Sequence, residues 1–457
     1  MIAASSNRAI VSDSPNFKVW VGILLIGILT SLYFFPVIFK AFPSQNTKNL
    51  LGAVGIVFLF MTLVYRRRFE IPKEIIFLFF ISAGVSLVSL VSMVYNQTPD
   101  NSYASFIRST AIWFCGAYAL TLLIRIFHGK IEVSIILNYL VAVCLFQCAA
   151  AMLIEYNHGF QEFVDSHIEQ GQDLLQGLNR LYGIGASLDV AGSRFAAVLT
   201  AIAVYIDLHK KELSSTAILL YIVAFIIITV IGNMIARTTL IGVGLGLAWI
   251  GLRWFQSLMR REAQAGNKII RVWGMSLLIM VPIGVFFYNS NETFKDLFRF
   301  GFEGFFNLVE NGEWDVSSTN KLETMVVFPE ELETWIIGDG YFENSRNDVN
   351  YLGDATEEGF YMGTDIGYLR FIFYFGVIGL LLMCLMVIYA TIICANGFPE
   401  DKAIFFMVML VNFIVWLKVS TDILLFFYLF IAGFVVANSF PPEENEEEVS
   451  QEDNLQE

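Results

Sequence analysis

The stretch from Ala217 to Leu252 reads AILLYIVAFIIITVIGNMIARTTLIGVGLGLAWIGL and contains one charged residue, Arg237, near its middle. An α-helix rises about 1.5 Å per residue, so these 36 residues can form two helices of about 27 Å each. That length is close to the roughly 30 Å thickness of the hydrocarbon core of a bilayer. The stretch therefore predicts a transmembrane helical hairpin with Arg237 at its tight turn.

The rest of the sequence has the same apolar character. Of its 457 residues, 56% are hydrophobic and 15% are charged, whereas roughly 25% of the residues of soluble domains are charged. This composition excludes an ordinary water-soluble enzyme and predicts an all-α polytopic membrane protein with twelve transmembrane helices. The last two apolar runs are short and also fit one broken helix. The spans lie near residues 17–39, 49–65, 74–95, 105–124, 132–154, 187–207, 216–234, 239–256, 269–288, 366–393, 403–417 and 423–438.

Basic residues occur in alternate loops between these spans. Lys and Arg prefer the cytoplasmic side, because anionic lipid and the membrane potential hold them there. The basic loops all lie on one side, so we predict that both termini are cytoplasmic and that the first span is an uncleaved insertion signal. The basic loop residues are Arg66, Arg67, Arg68, Lys73, Arg125, Lys130, Lys210, Lys211, Arg260, Arg261, Lys268, Arg271 and Lys402.

This topology divides the chain into four parts. Residues 1–288 contain nine spans, residues 289–365 form a large extracytoplasmic loop domain, and residues 366–440 contain three more spans. The loop domain is rich in aromatic residues and carboxylates, which indicates ordered structure rather than a linker. Within it, residues 329–338 begin with proline and carboxylates and end in glycine, a pattern that predicts a helix. Residues 441–457 carry eight of the fourteen net negative charges and predict a disordered cytoplasmic tail.

Several cations lie on the outer side in this topology. Arg194 must lie inside the sixth span, because residues 195–206 alone are too short to cross the membrane. Lys418 lies between the last two spans, and Arg370 lies just inside the tenth. An arginine in the bilayer is costly, so these residues and Arg237 favour a fixed anion such as a lipid-linked phosphate or pyrophosphate. The guanidinium fork binds the oxygens of such a group in pairs.

Simpler interpretations of the same cations remain open. Arg237 and Lys418 can extend to the headgroup region as interfacial cations, and Arg194 can pair with Asp189 as a structural ion pair. Each interpretation explains its residue about as well as a bound anion does. The convergence of three or more cations on one side is what favours the anion.

The outer loop also contains the candidate catalytic base. Its densest group of carboxylates is Asp354, Glu357, Glu358 and Asp365, which leads directly into the tenth span. Thr364 is expected to cap that helix, with Asp365 in the first turn, where the helix dipole lowers the pKa of the carboxyl. Asp365 is therefore the first candidate for the base. The alternative is that Asp365 only stabilises the start of the helix and has no catalytic role.

Other chemistries lack their sequence signatures. The sequence has no Asp-x-Asp pair for a metal and a nucleotide sugar, no phosphate-binding glycine loop with lysine, and no Ser/His/Asp arrangement. Its five cysteines lie within or beside apolar runs and predict neither disulfides nor a zinc site. We therefore expect no cofactor, no metal and no nucleic-acid partner.

Seven short motifs follow one another along the chain. They are Arg180-Leu-Tyr-Gly183, Arg194, Ala236-Arg237-Thr238, Lys321-Leu-Glu-Thr, Trp335-Ile-Ile-Gly338-Asp-Gly340, Thr364-Asp365-Ile-Gly367-Tyr368-Leu-Arg370 and Gly376-Val-Ile-Gly379. Together with the long loop between the ninth and tenth spans, their order resembles the bacterial O-antigen polymerase and O-antigen ligase superfamily. In topology the resemblance covers most of the chain, whereas each motif is short and degenerate.

The resemblance implies a glycosyltransferase of the bacterial inner membrane that uses a lipid-linked oligosaccharide donor and acceptor. It implies that Arg180, Arg194 and Arg237 bind the pyrophosphate of an undecaprenyl-linked donor, without a metal or a nucleotide. Lys321 stands where many members have arginine, and it lacks the bidentate fork. Ligases resemble one another in a histidine just before the tenth span, where this chain has residues 364–365, and this difference favours a polymerase.

The hypothesis from sequence is thus an inverting polysaccharide polymerase. Asp365 takes the proton from the attacking sugar hydroxyl, and Arg194 and Arg237 offset the charge on the leaving pyrophosphate. The alternatives are a ligase that transfers the glycan to another acceptor and a polysaccharide or lipid transporter. A chain-length regulator is a further candidate partner. The candidate pyrophosphate-binding residues are Arg180, Arg194, Arg237, Lys321, Arg370 and Lys418.

Overall fold

The computed structural model describes residues 17–65, 72–171, 175, 180–259, 278, 281–343 and 359–440. Several predicted features lie outside these ranges: the acidic tail, the first part of the ninth span, basic residues near 66–68 and 260–271, and the carboxylates Asp354, Glu357 and Glu358. The described chain is mostly helical, as the composition predicts.

The helices before the outer loop are mostly long. They are α1 (Phe17–Phe34), α2 (Thr47–Tyr65), α3 (Lys73–Asn96), α4 (Phe106–His128), α5 (Val133–Tyr156), the short α6 (His158–His167), α7 (Leu188–Leu208), α8 (Ser215–Ile235) and α9 (Thr239–Met259). Two short antiparallel strands, β1 (Ile38–Phe39) and β2 (Ile168–Glu169), join the connections that follow α1 and α6.

The segment over residues 289–365, called the outer loop after its predicted location, contains short helices, and long helices follow it. After a helical run over residues 281–290 come α10 (Glu292–Gly301), α11 (Glu303–Asn311), α12 (Ser317–Thr324) and α13 (Leu332–Ile336). A 3₁₀ turn (Tyr361–Gly363), α14 (Gly367–Gly397), a second 3₁₀ turn (Pro399–Asp401), α15 (Lys402–Val415) and α16 (Leu424–Ser439) complete the described chain.

Among the described residues, seven helices are long and apolar enough to cross a membrane. They are α2, α3, α4, α5, α7, α8 and α14. Most of α1 and all of α16 are apolar but shorter. These helices indicate an integral membrane protein, in agreement with the composition.

The hairpin predicted around Arg237 is present. Helix α8 ends at Ile235 and α9 begins at Thr239, so Arg237 lies in the tight turn between them. Helix α7, which contains Arg194, packs against both helices of the hairpin and against α5 and α15. Nearly all of its side chains are buried, which makes α7 the central helix of the bundle.

The contact between α7 and α9 depends on small residues. A Cβ atom on Gly242 would lie 2.2 Å from the carbonyl oxygen of Ala196, so this position on α9 requires glycine. Gly246 lies one turn further along and faces Ala203. Two glycines four residues apart allow the backbones of membrane helices to approach closely, as this contact requires.

The two ends of α7 lie in different polar clusters. Near its first residue, Lys418 contacts Asp189 (2.7 Å), and just beyond its last residue the His209 imidazole lies 2.8 Å from the Asp401 carboxylate. The two clusters are separated by roughly 30 Å along the helix. In each case the contact joins segments that the sequence predicts on one side of the membrane. We call the end at which α7 begins the site end.

Helix α14 is broken, which the sequence does not predict for its tenth span. Phe375 and Gly376 leave the helical conformation, and Gly376 takes a φ of +69°, which favours glycine. The backbone N–H groups of Asp339 and Gly340 donate to the carbonyls of Phe373 (2.6 Å) and Tyr374 (3.2 Å). The outer loop therefore supplies donors that the broken helix lacks.

The helix predicted over residues 329–338 is present only in part. Helix α13 spans five residues, and Gly338 follows it with a φ of +81°. The chain then continues through residues 339 and 340, whose backbone N–H groups donate to the carbonyls at the break in α14. This part of the outer loop is thus anchored to the membrane helices rather than separate from them.

Candidate functional site

Asp189 is the centre of the polar cluster at the site end. Its Oδ1 accepts hydrogen bonds from Lys418 Nζ (2.7 Å) and from the Thr238 hydroxyl. Lys418 also donates to Thr238 Oγ1 (3.1 Å). These three residues belong to α7, to the α8–α9 turn and to the α15–α16 connection, so the cluster joins three segments that are far apart in sequence.

Arg237 ties the α8–α9 turn to the outer loop. Its Nη2 lies 2.8 Å from Glu303 Oε2, and its Nε donates to the carbonyl of Phe300 (3.0 Å). Its Nη1 donates to the hydroxyls of Ser317 (3.2 Å) and Ser318 (3.1 Å). Arg237 is therefore not a cation that merely extends to the headgroups. Its guanidinium holds α10, α11 and α12 against the hairpin.

Arg180 lies in the same group. The Arg180 and Arg237 guanidinium carbons lie 5.0 Å and 4.2 Å from the centre of the Phe300 ring. Arg180 also interacts electrostatically with Asp189. Three of the predicted pyrophosphate-binding residues, Arg180, Arg237 and Lys418, are thus brought together around Asp189.

A cavity of about 240 Å³ opens beside this cluster. Its polar lining includes Arg237, Thr238 and Lys418 together with the Glu303 carboxylate that pairs with Arg237, and the remaining wall is mainly apolar. The apolar part includes Leu240, Ile241, Phe302, Phe305, Trp314, Leu322 and Leu417. A cavity with a cationic edge and an apolar wall suits a ligand that has an anionic headgroup and a hydrocarbon chain.

Asp365 lies near the cluster, but the helix start around it differs from the prediction. Helix α14 begins at Gly367 with Ile366 at the N-cap position, and Thr364 Oγ1 accepts from the N–H of Ile366 (3.3 Å). Thr364 is therefore not the cap, and Asp365 is not in the first turn. The expected lowering of its pKa by the helix dipole is wrong, because burial raises the pKa of Asp365 to about 6.

Charged neighbours modulate this effect of burial on Asp365. Arg370, 3.4 Å away, and Lys418 lower its pKa, whereas the negative charge of Asp189 raises it. The interaction with Asp189 and Lys418 connects Asp365 to the cation cluster. A partly exposed carboxyl whose pKa is raised to about 6 is suited to act as a general base.

Arg370 is held by the protein itself. Its Nη1 donates to Ser420 Oγ (2.9 Å), its Nη2 donates to the carbonyl of Phe342 (2.9 Å), and it lies 3.8 Å from the centre of the Phe342 ring. A weaker contact of 3.5 Å reaches Glu343. These contacts favour a positioning role for Arg370 between the outer loop and the α15–α16 connection, rather than direct contact with a ligand.

Lys321 is exposed on α12. It lies one turn from Ser317 and Ser318, which hold Arg237, and so on the same side of the helix. Ser318, Thr319 and Leu322 of this helix line the cavity. Lys321 is thus next to the site, on a helix that the site positions.

Arg194 is buried apart from the other cations. Arg194 is 8% exposed, and its guanidinium carbon lies 5.8 Å and 5.6 Å from the ring centres of Phe34 and Phe35. Its Nε has no hydrogen-bond partner, and none of the ion pairs in the described chain includes it. The alternative pairing with Asp189 is wrong, because Asp189 bonds Lys418 and Thr238 instead.

The sequence motifs include neither Lys48 nor Glu303. Lys48, in the first turn of α2, lies 5.3 Å from the centre of the Trp113 ring and interacts electrostatically with Arg194 and Asp422. The predicted topology places it at the outer end of the second span, where a lysine is unexpected, and that position was the available signal. Glu303 is one of many carboxylates in the loop, and no pattern in the sequence distinguishes it.

Comparison with known proteins adds no family. No protein-family model matches the chain, and neither a curated protein nor a solved structure matches it. The function is therefore inferred from the residues themselves.

Proposed function

We propose that this protein is a polysaccharide polymerase, an inverting glycosyltransferase that joins undecaprenyl-pyrophosphate-linked oligosaccharide units at the outer face of a bacterial inner membrane. The observation that carries the proposal is the convergence of Arg180, Arg237 and Lys418 beside Asp365 and a largely apolar cavity. Cations and a raised-pKa carboxyl are the two groups that this reaction requires.

The cations are suited to the leaving group. When the sugar leaves its carrier, negative charge increases on the pyrophosphate, and fixed cations in a poorly hydrated site stabilise that charge. Glu303 Oε2 now accepts from Arg237 where an oxygen of an anionic ligand would bind. Pyrophosphate binding would displace Glu303, and Arg237 would keep its bond to the carbonyl of Phe300.

Asp365 is suited to the acceptor. A hydroxyl oxygen of the acceptor sugar attacks the anomeric carbon of the donor, the bond from that carbon to the pyrophosphate oxygen breaks, and the hydroxyl proton moves to the Asp365 carboxylate. The products are a lengthened glycan on one carrier and free undecaprenyl pyrophosphate. Attack from the face opposite the leaving group inverts the anomeric configuration.

The proposed topology has twelve spans with both termini in the cytoplasm, so that the site end faces outward. The lipid carrier then enters sideways from the outer leaflet along the apolar wall of the cavity. No metal or nucleotide takes part in the proposed reaction, because the energy of the new bond comes from the pyrophosphate ester of the donor.

A transporter is the second candidate, because broken helices are typical of transporter binding sites. The break in α14 at Phe375 and Gly376 is such a feature. However, the carbonyl of Phe373 accepts from Asp339, and that of Tyr374 accepts from Gly340 and from Ser92 Oγ (2.7 Å). Because these carbonyls already have donors, the break favours an anchor for the loop over a site for a coupling ion.

One reconstitution experiment separates the candidates. The purified protein is placed in liposomes with a lipid-pyrophosphate oligosaccharide, and the glycans are resolved on a gel. A ladder of repeat units is expected for a polymerase. A single transfer to an added foreign acceptor would indicate a ligase, and intact substrate moved across the bilayer would indicate a transporter. Either of those results would contradict the proposal.

A further inference from the structure

Helix α11 has an apolar side and a polar side. Successive residues of an α-helix are rotated by about 100°, so Phe305, Phe306, Leu308 and Val309 occupy an arc of roughly 160° on its surface. Polar residues occupy the opposite side. A helix on the surface of a soluble protein turns its apolar side toward the core and its polar side toward water. Helix α11 does the reverse, as its contacts show.

The polar side of α11 contacts the rest of the protein. Glu303, in its first turn, lies 2.8 Å from the Arg237 guanidinium, and Glu310, in its last turn, lies 2.6 Å from that of Arg299 in α10. These two pairs hold both ends of the helix. The pairs therefore fix the rotation of α11 about its own axis, with the carboxylates toward the protein.

Much of the apolar side faces away from the protein. Val309 is 85% exposed, and Phe305 and Leu308 are exposed as well. Trp314, also exposed, packs edge-to-face on Phe305, with 5.0 Å between the ring centres. We call Phe305, Leu308, Val309 and Trp314 the apolar face. Contact with water is unfavourable for such a contiguous group, so an apolar environment should cover it.

Helix α11 lies beside the ends of the membrane helices. Phe306 of α11 and Phe298 of α10 line a second cavity, of about 560 Å³, together with residues of α8 and α9. One of these residues, Leu247, is eight positions after the start of α9, which corresponds to roughly 12 Å along that helix. The cavity thus extends from α11 into the space between two apolar helices, so α11 is not separated from the membrane by a layer of water.

The apolar side of α11 also continues the surface of the ninth predicted span. The Phe306 ring stacks on Tyr288, with 6.0 Å between the ring centres and 9° between the planes. Phe286, two residues earlier in that span, is exposed, as expected for a side chain that faces lipid. From Phe306 the apolar arc of α11 continues to Val309. A surface that lipid covers on the span thus continues onto α11.

We propose that α11 lies in the plane of the membrane, with the apolar face among the acyl chains of the leaflet at the site end. The partner is the bilayer, because the face continues a lipid-facing surface and contains a tryptophan, which is enriched at membrane interfaces. The inference needs only the membrane helices and this face, so it does not depend on the proposed reaction. Phe305 and Trp314 also line the cavity of about 240 Å³, so the wall of that cavity would open into hydrocarbon.

The test measures the depth of one residue in the bilayer. Full-length protein whose five cysteines are replaced receives Val309→Cys, labelled with a nitrobenzoxadiazole dye, in nanodiscs of phosphatidylethanolamine and phosphatidylglycerol. Lipids brominated on the acyl chain should reduce the emission about twofold or more, because such a face lies roughly 5 to 10 Å into the headgroup and acyl boundary. Aqueous iodide should have little effect. Asp296→Cys, at an exposed position of α10, is the matched control and should respond to iodide alone.

Three outcomes would overturn the inference. Quenching of both positions by iodide alone would place α11 in water. Quenching of both by brominated lipid would mean that the apolar face has no preferred contact with the bilayer. Protection of position 309 from both quenchers, together with a disulfide between two unlabelled Val309→Cys chains, would assign the face to a second copy of the chain. If labelled Val309→Cys fails to fold, as checked by thermal unfolding, Leu308→Cys takes its place.

Discussion

At the scale of single residues, Arg237 combines a structural function with a proposed function in the reaction. Its three guanidinium nitrogens bond Phe300, Glu303, Ser317 and Ser318, and so it fixes the outer loop to the hairpin. In the proposed reaction the same group faces the leaving pyrophosphate. Because both functions need the planar fork of donors, lysine should be a poor substitute at this position.

Replacement of Arg237 tests this role. We expect Arg237→Ala to reduce long-chain polysaccharide by about 10² or more while the protein stays in the membrane, because one donor to the leaving group is lost. The measurement is polymer length in cells, normalised to membrane protein. Arg299→Ala is the matched control, because Arg299 forms an exposed pair with Glu310 in the same loop. Full-length polymer from Arg237→Ala would refute the assignment.

The pKa of Asp365 predicts a pH profile. A base must be ionised, and burial raises the pKa of this carboxyl to about 6, so the rate should fall as the pH decreases through about 6. The acid limb should disappear in Asp365→Asn, together with most of the activity. The measurement is the initial rate of polymer formation in liposomes from roughly pH 5 to pH 8, a range that includes the pKa of Asp365. An unchanged acid limb in Asp365→Asn would exclude Asp365 as the base.

The same shift has a consequence for stability. The folded-state pKa lies above the ordinary aspartate value of 3.8, so the folded protein binds more protons than the unfolded chain between the two values. This carboxyl therefore stabilises the fold least where it is ionised. Its contribution to the free energy of unfolding decreases as the pH rises from about 4 to about 6, and Asp365→Asn should remove that dependence.

At the scale of helices, the break in α14 is a structural joint. Gly376 has a positive φ, and a Cβ atom there would lie 2.2 Å from the carbonyl oxygen of Ile336. The joint brings α13 and the backbone of Asp339 and Gly340 into the helix. The sequence contains Gly376 and the Gly338–Gly340 motif, but their pairing depends on contacts between distant segments, which no local pattern encodes.

Substitution of Gly376 tests the joint. We expect Gly376→Ala to lower the free energy of unfolding by about 1 to 3 kcal/mol, because it adds backbone strain and a steric conflict. Gly251→Ala in α9 is the matched control, since a Cβ atom there meets nothing within 4 Å. Thermal unfolding in detergent should show a lower midpoint temperature for Gly376→Ala than for the wild type, and no decrease for Gly251→Ala. Equal midpoints would mean that the joint contributes little.

At the scale of the whole molecule, apolar run length predicts the seven membrane-length helices of the described residues, whereas the count of twelve spans stays a prediction. The hairpin at Arg237 and the helix through Arg194 follow from counting uncharged residues, because a span has a minimum length. The length of apolar runs does not predict the start of α14 at Gly367 or the contact between Lys418 and Asp189. They depend on tertiary packing around α7, and so does the separation of Arg194 from the other cations.

The orientation of the bundle is tested by chemical labelling. In a variant whose five cysteines are replaced, Ser44→Cys at the site end should react with a membrane-impermeant maleimide in intact cells. Lys130→Cys, an exposed position at the opposite end, should react only after lysis. The reverse pattern would place the cation cluster in the cytoplasm and contradict the proposed site of reaction.

The insertion of loop backbone into α14 also bears on biogenesis. A carbonyl without a donor is costly in lipid, so a broken helix is a poor substrate for insertion on its own. Residues 339–340 leave the ribosome before α14 does, and they cross the membrane first if the loop is external. The backbone N–H donors of residues 339–340 would then already be in place when α14 is inserted. Delayed translocation of the loop would leave newly made α14 without these donors and exposed to quality-control proteases.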